Sequence, residues 1–151
     1  MNMKDERQFV GYSKYRSRLV DGHVHTELCP HGSGDRTAMM IEKAIELRIE
    51  KVCLTEHAPL PTVFAAEYGG DKKAYDTASL KLNEVDTYLE LGRQLQRAYG
   101  THIDISLGFE VDYIPGFESD IQEFLDRYGP LTDDNILSVH FMEGVNNAFY
   151  C

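Results

Sequence analysis

A chain of 151 residues with 42% hydrophobic and 26% charged side chains has the composition of one folded domain with a core of its own. Its net charge of −10 weighs against a nucleic-acid backbone as partner, because that contact relies on basic patches. No run approaches the roughly 18 apolar residues of a membrane span, and the polar start "MNMKDERQFVGYSKYRSR" lacks the apolar centre of a signal peptide, so a cytoplasmic location is expected.

Residues 1–17 read as a polar lead-in, locally basic from Lys14 into Arg18, ahead of a domain over 18–151. "RLVDGHVHT" (18–26) reads as a strand. "RTAMMIEKAIELR" (36–48) reads as an amphipathic helix with Ile41, Ala44, Ile45 and Ile49 at helical spacing and Asp35 as candidate N-cap. "KVCLTEH" (51–57) is a second strand, followed by a long irregular stretch with two prolines and a Gly-Gly, which is expected to be functional or mobile. A helix is expected from about Leu80 to Tyr99, closed by Gly100. "DISLGFEVDY" (104–113) alternates strictly and is the clearest strand; Pro115-Gly116 then turns the chain. Ser119 with Gln122 three residues on resembles a capping box, and Ile121, Phe124, Leu125 and Tyr128 form a helical stripe read as core. "NILSVHF" (135–141) is a fourth strand, and "EGVNNAFYC" reads as a turn at Asn146-Asn147 opening a fifth. Strands alternating with helices point to a parallel sheet with crossover helices, an α/β architecture.

Side chains alternate faces along a strand. Asp21, His23 and His25 therefore share one face of the first strand, Cys53, Thr55 and His57 one face of the second, and Ser106, Gly108, Glu110 and Asp112 one face of the third. On the fourth, Ser138 and His140 oppose Leu137, Val139 and Phe141. Each strand so carries a histidine or carboxylate near its C-terminal end, where sites form in parallel α/β folds. Six candidate metal ligands, His23, His25, His31, His57, Glu110 and His140, would meet at one mouth. A single strand histidine is more often a hydrogen-bonded core residue, but burying this many ionisable groups together is expensive without a counter-charge. A metal cluster removes that cost, and imidazole with carboxylate suits zinc, iron or manganese alike. Asp21 and Asp112 are candidates for orienting the ligand rings. His102 is read as structural or surface.

Of three cysteines, Cys29, Cys53 and Cys151, none lies in CxxC spacing, so a reducing compartment is expected in place of a disulfide framework. Cys29 is a thiolate candidate in the loop before His31, but is read as structural or incidental, as free cysteines usually pack like small hydrophobes.

"DGHVHTELCPHG" resembles the first motif of the polymerase-and-histidinol-phosphatase (PHP) superfamily, "LTEHAPLP" its second, "GFEVDYIPGFE" its third, and "ILSVHF" the histidine-bearing strand after it. The resemblance runs from Asp21 to Cys151 and is nearest to the histidinol-phosphatase branch. It implies a distorted (β/α)7, TIM-like barrel with a divalent metal cluster of up to three ions. It implies His23 and His25 on a first metal, Glu110 bridging to a second that His140 also binds, and His31 with His57 on a third. The implied reaction, serving histidine biosynthesis, is hydrolysis of L-histidinol phosphate to L-histidinol and phosphate. The family's closing motif, an aspartate and a histidine late in the barrel, has no counterpart in these 151 residues. The expectation is thus the N-terminal portion of the barrel, with an exposed sheet edge that favours association. Two alternatives stand beside the phosphatase reading. One is another phosphoesterase of the superfamily, nuclease-like or acting on phosphotyrosine. The other is a non-catalytic metal-binding fragment.

Overall fold

Why the chain builds half a barrel follows from where its apolar residues fall. In the computed structural model, which describes residues 18–144 and 148–150, four strands lie parallel in the order β1 (Val20–Val24), β2 (Lys51–His57), β3 (Asp104–Asp112) and β4 (Ile136–Ser138). The helices between them are α1 (Thr37–Glu46), the short α2 (Lys72–Asp76), α3 (Val85–Tyr99) and α4 (Glu118–Tyr128). The expected α/β alternation is present, as a curled parallel sheet with helices against it. The polar lead-in, the Asn146-Asn147 turn and Cys151 lie outside the described residues.

The helices dock by their apolar stripes. In α3 the buried residues Val85, Tyr88, Leu89, Gly92 and Leu95 recur at three- and four-residue spacing. They meet Leu54, Ile105, Leu107 and Phe109 from β2 and β3 in one hydrophobic cluster, which the α4 stripe of Ile121, Phe124, Leu125 and Tyr128 also joins. The Tyr88 hydroxyl lies 3.0 Å from the Leu54 carbonyl and also against the Gly108 carbonyl, so its polar end is satisfied at the β2–β3 seam.

Several boundaries differ from the expected ones, each for a visible reason. Asp35 does not cap α1: its carboxylate accepts the Ser33 hydroxyl, while Glu27 accepts the Thr37 amide and Thr37 Oγ1 accepts the Glu27 amide. Ser119 does not cap α4, which starts one residue earlier. Glu118 accepts the Gly116 amide there, and Gln122 donates forward to Asp126. The stretch after β2 is partly ordered into a 3-10 turn at Phe64–Ala66 and the helix α2, whose first turn Asp71 caps through the Lys73 amide at 3.0 Å. β4 is shorter than 135–141 because side chains take over its ladder. Asn135 Oδ1 accepts the Phe109 amide at one end, and Asp112 accepts the His140 amide at the other.

The expected fifth strand does not extend the parallel sheet. Residues Met142–Glu143 (β5) and Phe149–Tyr150 (β6) pair antiparallel with each other. Phe149 is the cause: it is buried beside Phe64, Phe117 and Phe141, with its ring centroid 5.2 Å from that of Phe64. Its backbone bonds to Glu67 and Gly69 at 2.9 and 2.8 Å. This aromatic cluster fastens the segment after β2 over the C-terminal end of the sheet. Among the described residues, β1 and β4 are the edges of the parallel sheet, and Val20 and Leu137 on them are exposed.

Candidate metal centre

Parallel register decides which candidates meet. His57, the last residue of β2, pairs directly with Glu110 on β3, so their side chains leave the sheet side by side. His23 lies in β1 and His25 just past its end. His140 follows β4 by two residues, and His31 comes from the loop between β1 and α1. All stand at the C-terminal end of the sheet.

Glu110 is the hub. Its carboxylate is buried, and Oε2 lies 3.0 Å from His23 Nε2, 3.3 Å from His25 Nε2 and 3.1 Å from His57 Nδ1; Oε1 lies 3.4 Å from His140 Nε2. His23 Nε2 and His25 Nε2 are themselves 3.0 Å apart. His31 stands at the rim. Its ring centroid is 5.0 Å from that of His57, and its Nδ1 is bonded to the Thr77 carbonyl at 2.7 Å. Among the described residues three compact candidate ligand groups result: His23, His25 and Glu110; His57, Asp112 and His140; and His25, Cys29 and His57. His31 is in none of them. His102 is exposed on the sequence side of β3 away from the cluster.

The partners of the rings fix their tautomers. An ionised carboxylate only accepts, so His25 Nδ1 donates to Glu56 Oε1 at 3.1 Å and His140 Nδ1 donates to Asp112 Oδ1 at 2.9 Å. In the neutral rings the other nitrogen, Nε2, is then a bare lone pair. In both residues that lone pair faces an oxygen of Glu110, itself electron-rich. Lone pair against lone pair at 3.3 to 3.4 Å is repulsive unless a cation stands between them. His57 makes the same point from inside: its Nδ1 is buried with no hydrogen-bond partner, the 3.1 Å approach to Glu110 being off-line. The residues present therefore fit divalent metal ions.

Burial and hydrogen bonding shift these groups in different directions. Burial pushes the His57 ring below its ordinary value, Glu110 opposes this, and the neighbouring His25 and His31 add to it, a direction that favours the neutral ring. The hydrogen bond to Glu56 raises His25, against the effect of burial. For Glu56, burial acts upward, but hydrogen bonds from His25 and Thr26 outweigh it and hold the carboxyl below its ordinary value. Burial pushes the Cys29 thiol up.

Glu56 was not among the residues singled out from the sequence, because alternation puts it on the helix-facing side of β2 with Val52 and Leu54. Its carboxylate turns back to the loop after β1. There it accepts the Thr26 amide at 2.9 Å, the Thr26 hydroxyl at 2.8 Å and the His25 ring, and it also accepts the His57 amide at 3.1 Å. A charge inside an otherwise apolar strand was the available signal, since it must be paired to be buried. Of the two aspartates expected to orient rings, Asp112 does so for His140; Asp21 is exposed and makes no such contact.

The described residues form a parallel α/β half-barrel with histidines and a buried glutamate converging at its C-terminal end. The chain belongs to the PHP domain family, which it matches over residues 21–150. It is 39% identical to the histidinol-phosphatase of Bacillus subtilis (strain 168) over 131 residues, 87% of this chain and 47% of that protein. A Listeria monocytogenes crystal structure assigned as a histidinol phosphatase superposes with a TM-score of 0.83 at 43% identity, covering 86% of this chain and 47% of that one. The histidinol phosphate phosphatase of Lactococcus lactis, solved with zinc, L-histidinol and phosphate, superposes with a TM-score of 0.63 at 26% identity over 83% of this chain and 41% of that one. The chain thus spans about half the length of the relatives it matches.

Proposed function

We propose that residues 18–151 form the ligand-bearing N-terminal part of a metal-dependent phosphomonoesterase acting on L-histidinol phosphate, with residues 1–17 as a lead-in. Its products would be L-histidinol and phosphate, in histidine biosynthesis in the cytoplasm. One observation carries this reading: three imidazole nitrogens lie within 3.0 to 3.3 Å of the single oxygen Glu110 Oε2. The B. subtilis and L. lactis relatives supply the substrate class, and the zinc of the latter supplies a metal.

In this reading His23, His25 and Glu110 hold one ion, Glu110 and His140 a second, and His31 with His57 a third. Zinc, iron and manganese all suit the imidazole and carboxylate donors. Divalent ions, when bound, supply Lewis acidity to the phosphoryl oxygens and acidify water for attack on phosphorus. The chain's own residues set the geometry. Glu56 and Asp112 hold the His25 and His140 rings in the tautomer that presents Nε2. Glu110 is buried at the back, while the His23 and His140 side chains, 46% and 40% exposed, form the open side from which a phosphate monoester reaches the site. Neutral imidazoles and carboxylates alone would repel a phosphate dianion, so the site needs its ions to bind one. The net charge of −10 fits a small phosphorylated substrate better than nucleic acid. No helix among the described residues is long and apolar enough to cross a membrane.

The test is metal analysis of the folded chain followed by phosphate release from L-histidinol phosphate. Other phosphomonoesters, a phosphotyrosine peptide and oligonucleotides serve as comparisons. Preferential release from L-histidinol phosphate supports the reading, and preference for another ester reassigns the substrate. Bound metal without turnover makes the chain the ligand-bearing part alone, a reading favoured by its covering 47% of the B. subtilis protein. No bound metal overturns the proposal.

A further inference from the structure

His31 reaches the cluster from an exposed loop, and one contact fixes its ring. Nδ1 lies 2.7 Å from the Thr77 carbonyl, the only hydrogen bond that the ring makes among the described residues. A carbonyl only accepts, so Nδ1 donates and Nε2 is left as the lone pair. The orientation of this candidate ligand is therefore set by a backbone atom 46 residues further along the chain.

Thr77 is the C-cap of α2, a helix of five residues with none buried. A helix this short is not stable in isolation. Its Lys72–Asp76 ion pair is exposed and contributes little. The residues on either side of Thr77 do the anchoring: Tyr75 and Ala78 pack against the buried aromatic cluster. The Tyr75 ring centroid lies 5.3 Å from that of Tyr68 and 6.1 Å from that of Phe64, within the range of favourable aromatic pairs. Phe64 is fully buried, and Phe141 meets its ring edge-on at 5.1 Å. Phe141 directly follows His140. One ring thus stands between the turn that holds His31 and the segment that carries His140. The members of this cluster begin at Leu60, so it has no direct hold on His23 or His25.

We propose that Tyr75 and Phe64 are positioning residues of the metal centre: Tyr75 holds the Thr77 carbonyl that orients His31, and Phe64 ties that turn to the His140 segment. The proposal rests on the reading of the histidines as metal ligands and adds two residues that act only through others. Removing the Tyr75 ring frees Thr77 and lets His31 exchange between its tautomers. Removing the Phe64 ring does the same and loosens His140 as well.

The experiment uses the full chain, isotope-labelled and stripped with chelator. Ring tautomers are read by long-range proton–nitrogen NMR at about pH 9, well above the ordinary histidine pKa of about 6.5. Wild-type His31 is expected as the Nδ1–H tautomer. Tyr75→Ala and Phe64→Leu should move it toward the Nε2–H form that predominates in free histidine side chains. Tyr75→Phe keeps the ring and should leave His31 as in the wild type. Phe64→Leu should also shift the His140 ring signals, and Tyr75→Ala should not. Leu95→Ala removes a buried side chain from the other core and measures what general destabilisation does; it should move neither ring. Zinc affinity by chelator competition should fall about 10–100-fold in Tyr75→Ala, the range for groups that orient a ligand. In a His31→Ala background the same change should have no further effect, because a residue acting through His31 has nothing left to act on. If Phe64→Leu does not fold, Phe64→Met, which fills the space without a ring, takes its place; Tyr75→Ala, at a half-buried position, tests the His31 link independently. An unchanged His31 tautomer in Tyr75→Ala, the same shift in Leu95→Ala, or a full further loss of affinity in the His31→Ala background overturns the Tyr75 role and leaves the metal centre standing. His140 signals in the Phe64 variant that match those of Leu95→Ala overturn the Phe64 link. No zinc binding by the wild-type chain overturns the metal reading, and ligand positioning with it, whatever the tautomers show.

Discussion

Glu56 Oε1 lies 3.1 Å from His25 Nδ1, joining a carboxylate from the helix-facing side of β2 to a ring in the histidine cluster. The same carboxylate accepts the Thr26 amide and hydroxyl and the His57 amide. It therefore orients one candidate ligand and anchors the backbone of another. Glu56→Gln keeps an acceptor for part of this set but places an amide NH2 against donors. The expected result is a loss of about 10–100-fold in zinc affinity, measured by chelator competition. Glu56→Leu leaves several buried donors unpaired at roughly 1–3 kcal/mol each. It should destabilise the fold by about 3 kcal/mol or more, read from urea unfolding. An unchanged zinc affinity in Glu56→Gln would show that His25 does not depend on Glu56 for its orientation.

The same pair sets how the metal-free protein responds to pH. The Glu56 carboxyl sits below its ordinary 4.5, so its contribution is complete above that pH and is lost as pH falls through the lowered value. The His25 ring sits above its ordinary 6.5, so its contribution is complete below 6.5 and is lost as pH rises through the raised value. In chelator, the urea midpoint is expected to pass through a maximum between these limits. Glu56→Gln should flatten both sides, because neither group then has its partner. Equal pH profiles for the two proteins would contradict the pairing.

Much of the cluster was legible from period-two alternation. His57 and Glu110 fall on corresponding faces of two parallel strands, and register then makes them neighbours. Asp112 followed from the same alternation. Glu56 did not, because its face was the apolar one and only the turn of the chain after β1 gives it work. The Thr77 carbonyl that holds His31 has no side-chain signature at all. The β5–β6 hairpin was hidden because two-residue strands carry no periodicity; Phe149 is drawn into an aromatic cluster whose members are scattered from Phe64 to Phe141. Local pattern shows which face a residue occupies, and long-range packing decides what that face meets.

Two glycines should respond differently to the same added methyl. At Gly108 a Cβ would fall 1.5 Å from the Asp134 carbonyl oxygen, an overlap with backbone that no rotamer relieves. The 133–135 segment is held there by Asp133 on the Leu107 amide and Asn135 on the Phe109 amide, both at 2.9 Å. Gly108→Ala must push this segment off β3, with β4 and His140 behind it. A loss of about 3 kcal/mol in urea is expected, together with weaker metal binding. At Gly92 the added atom would meet the Leu107 side chain, which can move, and alanine favours the helix by about 1 kcal/mol. Gly92→Ala should therefore cost clearly less than Gly108→Ala and leave zinc affinity unchanged. The reverse order would overturn the close approach of the 133–135 segment to β3.

The two edges that the sheet presents among the described residues make the last prediction. Leu19 and Val20 at the start of β1 are 54% and 50% exposed, and Leu137 and Val139 at β4 are 70% and 59% exposed. Among the described residues no further strand pairs with either edge, and an unpaired edge templates strand addition by another chain. Apolar side chains flanking such an edge strengthen that tendency. The protein is expected to self-associate with rising concentration, seen as an increase in mass by light scattering. A lysine at each edge, Val20→Lys with Leu137→Lys, should oppose pairing by charge and desolvation and return the mass toward that of one chain. Neither residue belongs to the candidate ligand groups, so zinc affinity should stay as in the wild type. Association that persists unchanged in the double variant would place the contact on another surface, and loss of zinc binding would tie the edges to the integrity of the cluster.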